Sequence, residues 1–255
     1  MSLQKRIIPC LLLRNGSLVK TVKFNKFGYV GDPVNTIRIF NELEVDELIL
    51  VDILASKKGQ KPDFKLIKEV ASECFMPLTY GGGIDSVEDI KKILYIGVEK
   101  VSINTFAVQN PQFITEAAEI FGNQCIIGAI DVKKDFFGKY FVVINDGREK
   151  TNLDPIEWAI EMEKIGAGEL LITSIDCDGT WEGYDTDLIK SITDKVSIPV
   201  IANGGAGNLS HIRSVLTDGD CSAAAVGSFV VYQKKGMGIL INSPFQKDLK
   251  GVYNE

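Results

Sequence analysis

Histidine is nearly absent: His211 is the only one in 255 residues. It falls in a stretch with the spacing of an outer helix, which excludes a Ser-His-Asp or Cys-His nucleophile and leaves acid and base work to carboxylates, lysine or tyrosine. Cysteine is sparse and odd in number. Cys10, Cys74, Cys125, Cys177 and Cys221 are scattered at spacings that fit neither a zinc site nor a disulfide framework. Three of them lie in apolar runs, where cysteine behaves as a small core residue. No metal and no other cofactor is expected. No apolar run approaches the roughly 18 residues of a membrane span, and MSLQKR lacks the apolar stretch of a secretory signal, so a cytoplasmic protein with no membrane partner is expected. Basic clusters are missing too. With a formal net charge of −6, nucleic acid is a poor partner, and an anionic small molecule would be held by local backbone amides instead. No Pro/Gly/Ser-rich linker divides the chain, and residues 1–255 read as one domain with 45% hydrophobic residues to build its core.

Glycine, by contrast, is placed with a pattern. PLTYGGGI, Pro77 to Ile84, returns as PVIANGGA, Pro199 to Ala206, and each is an apolar run ending in glycines. A buried strand looks like this when it turns sharply into a loop. Asp85 or Ser86 is placed to cap the helix after the first turn, and Asn208 the helix after the second. The echo extends upstream, where VDELILVD and AGELLITS precede the two copies and Glu47 matches Glu169. Such a repeat suggests two similar halves, about 1–122 and 123–255. Each glycine turn is either a tight bend or a cup whose backbone N–H groups hold an anion, and duplication in register favours the cup.

Eight apolar strand candidates alternate with amphipathic helical stretches, near residues 6–12, 47–52, 76–80, 99–103, 125–131, 168–174, 198–202 and 221–227. Their runs lack strict alternation, as parallel strands covered on both sides do. Repeated βα units of this length close most naturally into a single α/β domain, the (β/α)₈ or TIM barrel with a half-barrel internal repeat. An open doubly wound sheet is the alternative, but after the first strand the chain reads RNGSL rather than GxGxxG.

A barrel carries its function at the C-terminal ends of its strands. Asp52, Asn104, Asp131, Thr173, Asp176 and Asp178 fall at or just beyond those ends. Several carboxylates ending apolar strands suggest a site, while capping of the next helix or bonding of loop amides is the competing account, above all for Asp176 and Asp178 in SIDCDGT. A long segment after the first strand interleaves Lys20, Lys23 and Lys26 with Phe24 and Phe27, as a mobile lid or a solvated hairpin would. At the opposite rim Arg6, Glu47, Lys100 and Glu169 begin four strands, two of each sign, and by spacing alone form a stabilising ring of ion pairs.

Taken together, the half-barrel repeat, the GGG and NGGAG turns, VSINT, GAIDVK, GAGELLITSID and GYDTDLI resemble the cyclase subunit of imidazole glycerol phosphate synthase from about Arg6 to Phe229. That family is a barrel of the ribulose-phosphate-binding type. It takes ammonia from a partner glutaminase, of the class I glutamine amidotransferases, passes it through the barrel, and uses it on a nucleotide-derived substrate with two phosphates. The resemblance implies that Gly83, Asn104 and Thr105 hold one phosphate, and Gly179, Gly204, Gly205, Gly227 and Ser228 the other. It makes Lys20 the lid lysine and Asp131 the catalytic carboxylate of the fifth strand, with Thr79 and Ser102 as polar points inside the barrel. It also makes Arg6, Glu47, Lys100 and Glu169 an ammonia gate. Asp178, Lys20 and Asp52 stand as supporting groups, and Thr173 and Asp176 as substrate-binding ones.

One departure matters more than the agreements. The family pairs two carboxylates, on the first and fifth strands, as acid and base, but RIIPCLLLRNG puts Leu12 where the first should be. Loss of a positioned acid or base typically reduces rate by about 10²- to 10⁴-fold, so full cyclase activity is not expected. The irregular tail KKGMGILINSPFQKDL, with LLLRNG, PLTYGGGI and SECF, resembles a paralogous branch associated with surface-polysaccharide biosynthesis. In that branch a sugar-modifying ligase is implied as a further partner, with ammonia serving to amidinate a nucleotide-linked sugar. The alternatives are an authentic cyclase of histidine biosynthesis and a non-catalytic ammonia conduit.

Overall fold

The computed structural model describes residues 5–243. Among the described residues twelve strands run in order as β1 Arg6–Arg14, β2 Ser17–Val22, β3 Asn25–Gly31, β4 Leu48–Asp52, β5 Leu78–Gly81, β6 Lys100–Ile103, β7 Ile126–Lys134, β8 Tyr140–Ile144, β9 Glu149–Lys150, β10 Glu169–Ser174, β11 Val200–Asn203 and β12 Ala223–Val226. Eight of them are parallel and close on themselves: β1, β4, β5, β6, β7, β10, β11 and β12, with β12 pairing back on to β1. This is the expected (β/α)₈ barrel. Each sequence-predicted strand lies within a few residues of a barrel strand.

Alternation along each strand sorts residues between two cores. Inward, Ile8, Cys10, Ile49, Ile127, Leu171, Ile201, Ala223 and Ala225 form an apolar cluster along the barrel axis, with Leu12, Val51 and Ala129 packed against it. Outward, residues such as Leu11, Leu48, Leu50 and Val101 meet the helices, whose buried faces include Ile37, Phe40, Ile67, Val70, Ile90 and Ile93. Full burial of one such side chain contributes about 1.5–3 kcal/mol, and this outer layer supplies most of them.

Helix starts follow local chemistry. Ser86 accepts from the Asp89 amide and Asn208 from that of His211, so the two glycine turns lead into side-chain-capped helices at Val87–Ile96 and Leu209–Thr217. β5 and β11 occupy matching positions in the repeat, and both are followed by two glycines at positive φ, Gly82 and Gly83 at 112° and 72°, Gly204 and Gly205 at 94° and 112°. After Tyr232 no regular final helix forms among the described residues. Instead Tyr232 bridges to Ile239, and the amides of Leu240 and Asn242 return to the carbonyls of Val231 and Val230. No helix among the described residues is long and apolar enough to cross a membrane.

Two antiparallel additions were not assigned as strands from sequence. β2 and β3 extend β1 as a hairpin over the mouth, and β8 and β9 extend β7. The segment expected to be either a mobile lid or a solvated hairpin is therefore a hairpin, but its Lys20 is only 6% exposed. Lys23 and Lys26 do face solvent.

Candidate functional site

One cavity opens at the C-terminal ends of the barrel strands. Its wall includes Asp131, Asn104, Thr173, Lys20, Asp178 and both glycine turns. Asp131 and Thr173 are register neighbours on β7 and β10, and Thr173 in turn pairs with Asn203 on β11, whose amide donates to the Thr173 hydroxyl at 3.2 Å. Burial, helped by Asp146 and Asp178 and opposed by hydrogen bonds from Thr173 and Asn104, pushes the Asp131 carboxyl up to about 7. A carboxyl with that value exchanges a proton readily near neutrality. Cys10 also lines the cavity, but burial lifts its thiol to about 11, too high for a ready thiolate.

Leu12 lines the same cavity as part of the axial apolar cluster, beside Val51 and Ala129. Its register partners are Val51 on β4 and Val19 on β2. The first strand thus brings hydrocarbon, in Leu12, to the cavity wall.

The hairpin carries a cation over the mouth. The Lys20 ammonium donates to the Cys10 carbonyl, and a side chain at Gly227 would come within 2.8 Å of its Nζ, so the glycine clears space for that amine. Burial lowers the Lys20 pKa, with Asp178 acting in the opposite sense. Asp178 fastens the hairpin from the other side: its carboxylate accepts from the Thr21 hydroxyl at 2.6 Å and the Phe24 amide at 3.3 Å, and its carbonyl from the Lys23 amide at 2.9 Å. Burial raises the Asp178 carboxyl.

Gly83, Asn104 and Thr105 border one side of the cavity; Gly179, Gly204, Gly205, Gly227 and Ser228 border the other. At Gly205 only hydrogen fits, since a Cβ there would stand 1.9 Å from the Gly183 carbonyl. Both turns open on to one shared cavity rather than away from each other.

Two expected site residues have other contacts. Asp52 lines the cavity, but its carboxylate accepts from the Leu54 and Ala55 amides at 2.9 and 3.3 Å, which shapes the following loop. Asp176 is not on the cavity wall; it accepts from the Lys134 amide at 2.8 Å and ties β7 to the loop after β10. For Asp176 the observed geometry is a carboxylate bonding the last amide of β7, off the cavity wall. His211 lies on the outer helix with its ring 3.2 Å from the Asn208 amide nitrogen, away from the mouth. The residue that sequence reading missed is Asp146. It reaches the cavity from the β8–β9 turn, and the only sequence signal was the NDG turn composition of that hairpin.

At the other end of the barrel the four charged side chains meet. Arg6 donates to Glu47 at 2.6 Å and to Glu169, while Lys100 lies 2.9 Å from Glu169 and 3.7 Å from Glu47. Each cation touches both anions, so the ring is closed. The two carboxylates hold the Arg6 guanidinium above its ordinary value despite its burial. Between this ring and the mouth lie the small and apolar axial residues, with Thr79 and Ser102 buried among the strand interiors.

A family model described as "Histidine biosynthesis protein" matches residues 6–236. The chain belongs to that family, and within it to the HisF type. It is 48% identical over 241 residues to the "Putative imidazole glycerol phosphate synthase subunit hisF2" of Pseudomonas aeruginosa, covering 94% of this chain and 96% of that one. The "Putative imidazole glycerol phosphate synthase subunit hisF3" of Vibrio vulnificus is 45% identical over 249 residues, at 97% and 96% coverage. The "Imidazole glycerol phosphate synthase subunit HisF" of Methanococcus vannielii is 44% identical over 252 residues, at 91% and 93% coverage. The HisF-type barrel is therefore common to this chain and to relatives named as synthase subunits.

Proposed function

We propose that this HisF-type protein is a synthase component that accepts ammonia from a class I glutaminase at the Arg6–Glu47–Lys100–Glu169 ring. It passes the ammonia along the barrel and uses or delivers it at a two-phosphate mouth. The acceptor is a nucleotide-linked sugar, amidinated with the help of a sugar-modifying ligase. One observation carries the reading: Leu12 lies in the apolar lining of a mouth otherwise furnished with Asp131, a buried lysine and two glycine turns. A second cavity supports a large acceptor. It shares Lys20, Thr21, Gly179 and Ser228 with the mouth and extends to Lys23, Lys26, Trp181 and Tyr232, a mixture of cations and rings suited to a phosphorylated aromatic group.

A second reading, an authentic cyclase of histidine biosynthesis, draws support from the relative of Methanococcus vannielii and from Asp178 at the cavity wall. Purified protein given ammonium salt and the histidine-pathway substrate separates the two. Little turnover is expected, and Leu12→Asp should recover part of it; cyclisation by the unaltered protein at an ordinary enzymatic rate favours the second reading instead.

A further inference from the structure

The turn between β8 and β9 has three successive residues in the left-handed region, Asn145, Asp146 and Gly147 at φ 54°, 61° and 71°. Asparagine, aspartate and glycine are the residues that tolerate this backbone best, which explains the composition of the turn. It is held in place by the Asn145 amide, which donates to the Thr105 hydroxyl at 3.2 Å, and by Lys133, whose ammonium donates to the Gly147 carbonyl at 2.8 Å. A Cβ at Gly147 would touch Ile175 at 3.0 Å and Phe24 at 3.1 Å, so the turn is wedged between the loop after β10 and the hairpin. The Asp146 side chain is 6% exposed and lines the same cavity as Asp131.

We propose that Asp146 is the second carboxylate of the mouth, paired across the cavity with Asp131 and standing in for the acid that Leu12 removes from the first strand. The inference rests on the reading of the mouth as the place where ammonia meets its acceptor. The pair holds one proton. Ammonia's lone pair adds to an electrophilic carbon of the acceptor as the electrons of the C=O π bond move on to oxygen. The ionised carboxyl then takes a proton from nitrogen while its protonated partner gives one to oxygen, and the pair again holds a single proton. Other charged groups facing the pair are Asp178 from the loop after β10, Asp52 after β4, Lys20 from β2, Lys133 on β7, and Arg148, whose Nε lies 3.9 Å from the Asp146 carboxylate. Asp146 and Asp178 both line the cavity with Asp131 and both push its carboxyl up, Asp146 the more.

The test is a carbon-13 NMR titration of the aspartate carboxyls in the full chain, with Asp131 assigned by its loss in Asp131→Asn. In Asp146→Asn, which keeps a residue at ease in the turn, the Asp131 midpoint should fall, and by more than in Asp178→Asn. An unmoved midpoint in a folded Asp146→Asn overturns the pair, as does a larger shift in Asp178→Asn. If Asp146→Asn does not fold, Asp146→Ser makes the same comparison. The titration needs neither glutaminase nor acceptor, so its failure is distinct from failure of the ammonia reading. For the chemical role, ammonium chloride and the histidine-pathway substrate serve as probes in the Leu12→Asp background. In that background, Asp146→Asn leaving the recovered turnover unchanged supports the stand-in, and Asp146→Asn lowering it as far as Asp131→Asn does overturns it.

Discussion

At the lower rim Arg6, Glu47, Lys100 and Glu169 meet with alternating signs, each cation against both anions. At the mouth, Asp131 has two further carboxylates near it, while the buried Lys20 donates a hydrogen bond to a backbone carbonyl. The same barrel thus buries charge in two ways. Pairing keeps a group ionised, as with Arg6, whereas burial among like charges pushes the Asp131 carboxyl to where it can exchange a proton. On the function proposed above, the first arrangement would serve structure or passage and the second chemistry.

That contrast is tested most severely at Asp131. Asp131→Asn should reduce product formation in the complete assembly by about 10²- to 10⁴-fold, measured with glutamine as the nitrogen source. An unchanged rate would make the mouth a conduit and nothing more. At the lower rim the expected damage is to the fold: Glu169→Ala leaves Arg6 and Lys100 sharing Glu47 alone and should lower unfolding free energy by about 3 kcal/mol in a denaturant titration. The exposed Lys65–Glu69 pair is the control, where Glu69→Ala should change stability by less than about 0.5 kcal/mol.

The rims should also differ in pH dependence. Because Asp131 has a raised value in the folded chain, the folded state binds the extra proton between its ordinary value of 3.8 and about 7. Stability contributed by that group is therefore present at low pH and declines as pH rises through this window, and Asp131→Asn should flatten the decline. Arg6, raised above an already high value, should add no slope there. A smaller effect than at the ring belongs to the hairpin. Thr21→Val removes one hydrogen bond to Asp178 and should cost about 1 kcal/mol, seen as faster hydrogen exchange at the Phe24 amide.

Much of this was legible in sequence because barrel strands buried on both faces are continuous apolar runs, as in RIIPCLLL and ELLITS. The four charges of the ring were legible because each begins such a run. What stayed hidden depended on contacts between distant segments. Lys20 reads as a surface lysine in SLVKTV, and its burial follows only from the hairpin folding across β1 and from the room left by Gly227. Asp146 sits in what reads as a polar turn, and nothing local says that the turn leans over the barrel axis. Asp176 and Asp178 are two residues apart, yet one ties β7 to a loop while the other fastens the hairpin at the cavity, a division set by tertiary direction and not by composition.

The closed ring has a consequence for the ammonia route proposed above. On the proposed ammonia route, two positive and two negative ends cancel, so an arriving ion would meet no overall pull to offset the water it must shed before the axial isoleucines, leucine and alanines. A small uncharged solute has far less hydration to lose. A sieve of this kind discriminates by solvation rather than by diameter, and it would favour a weak base in its unprotonated form over the same base carrying a charge.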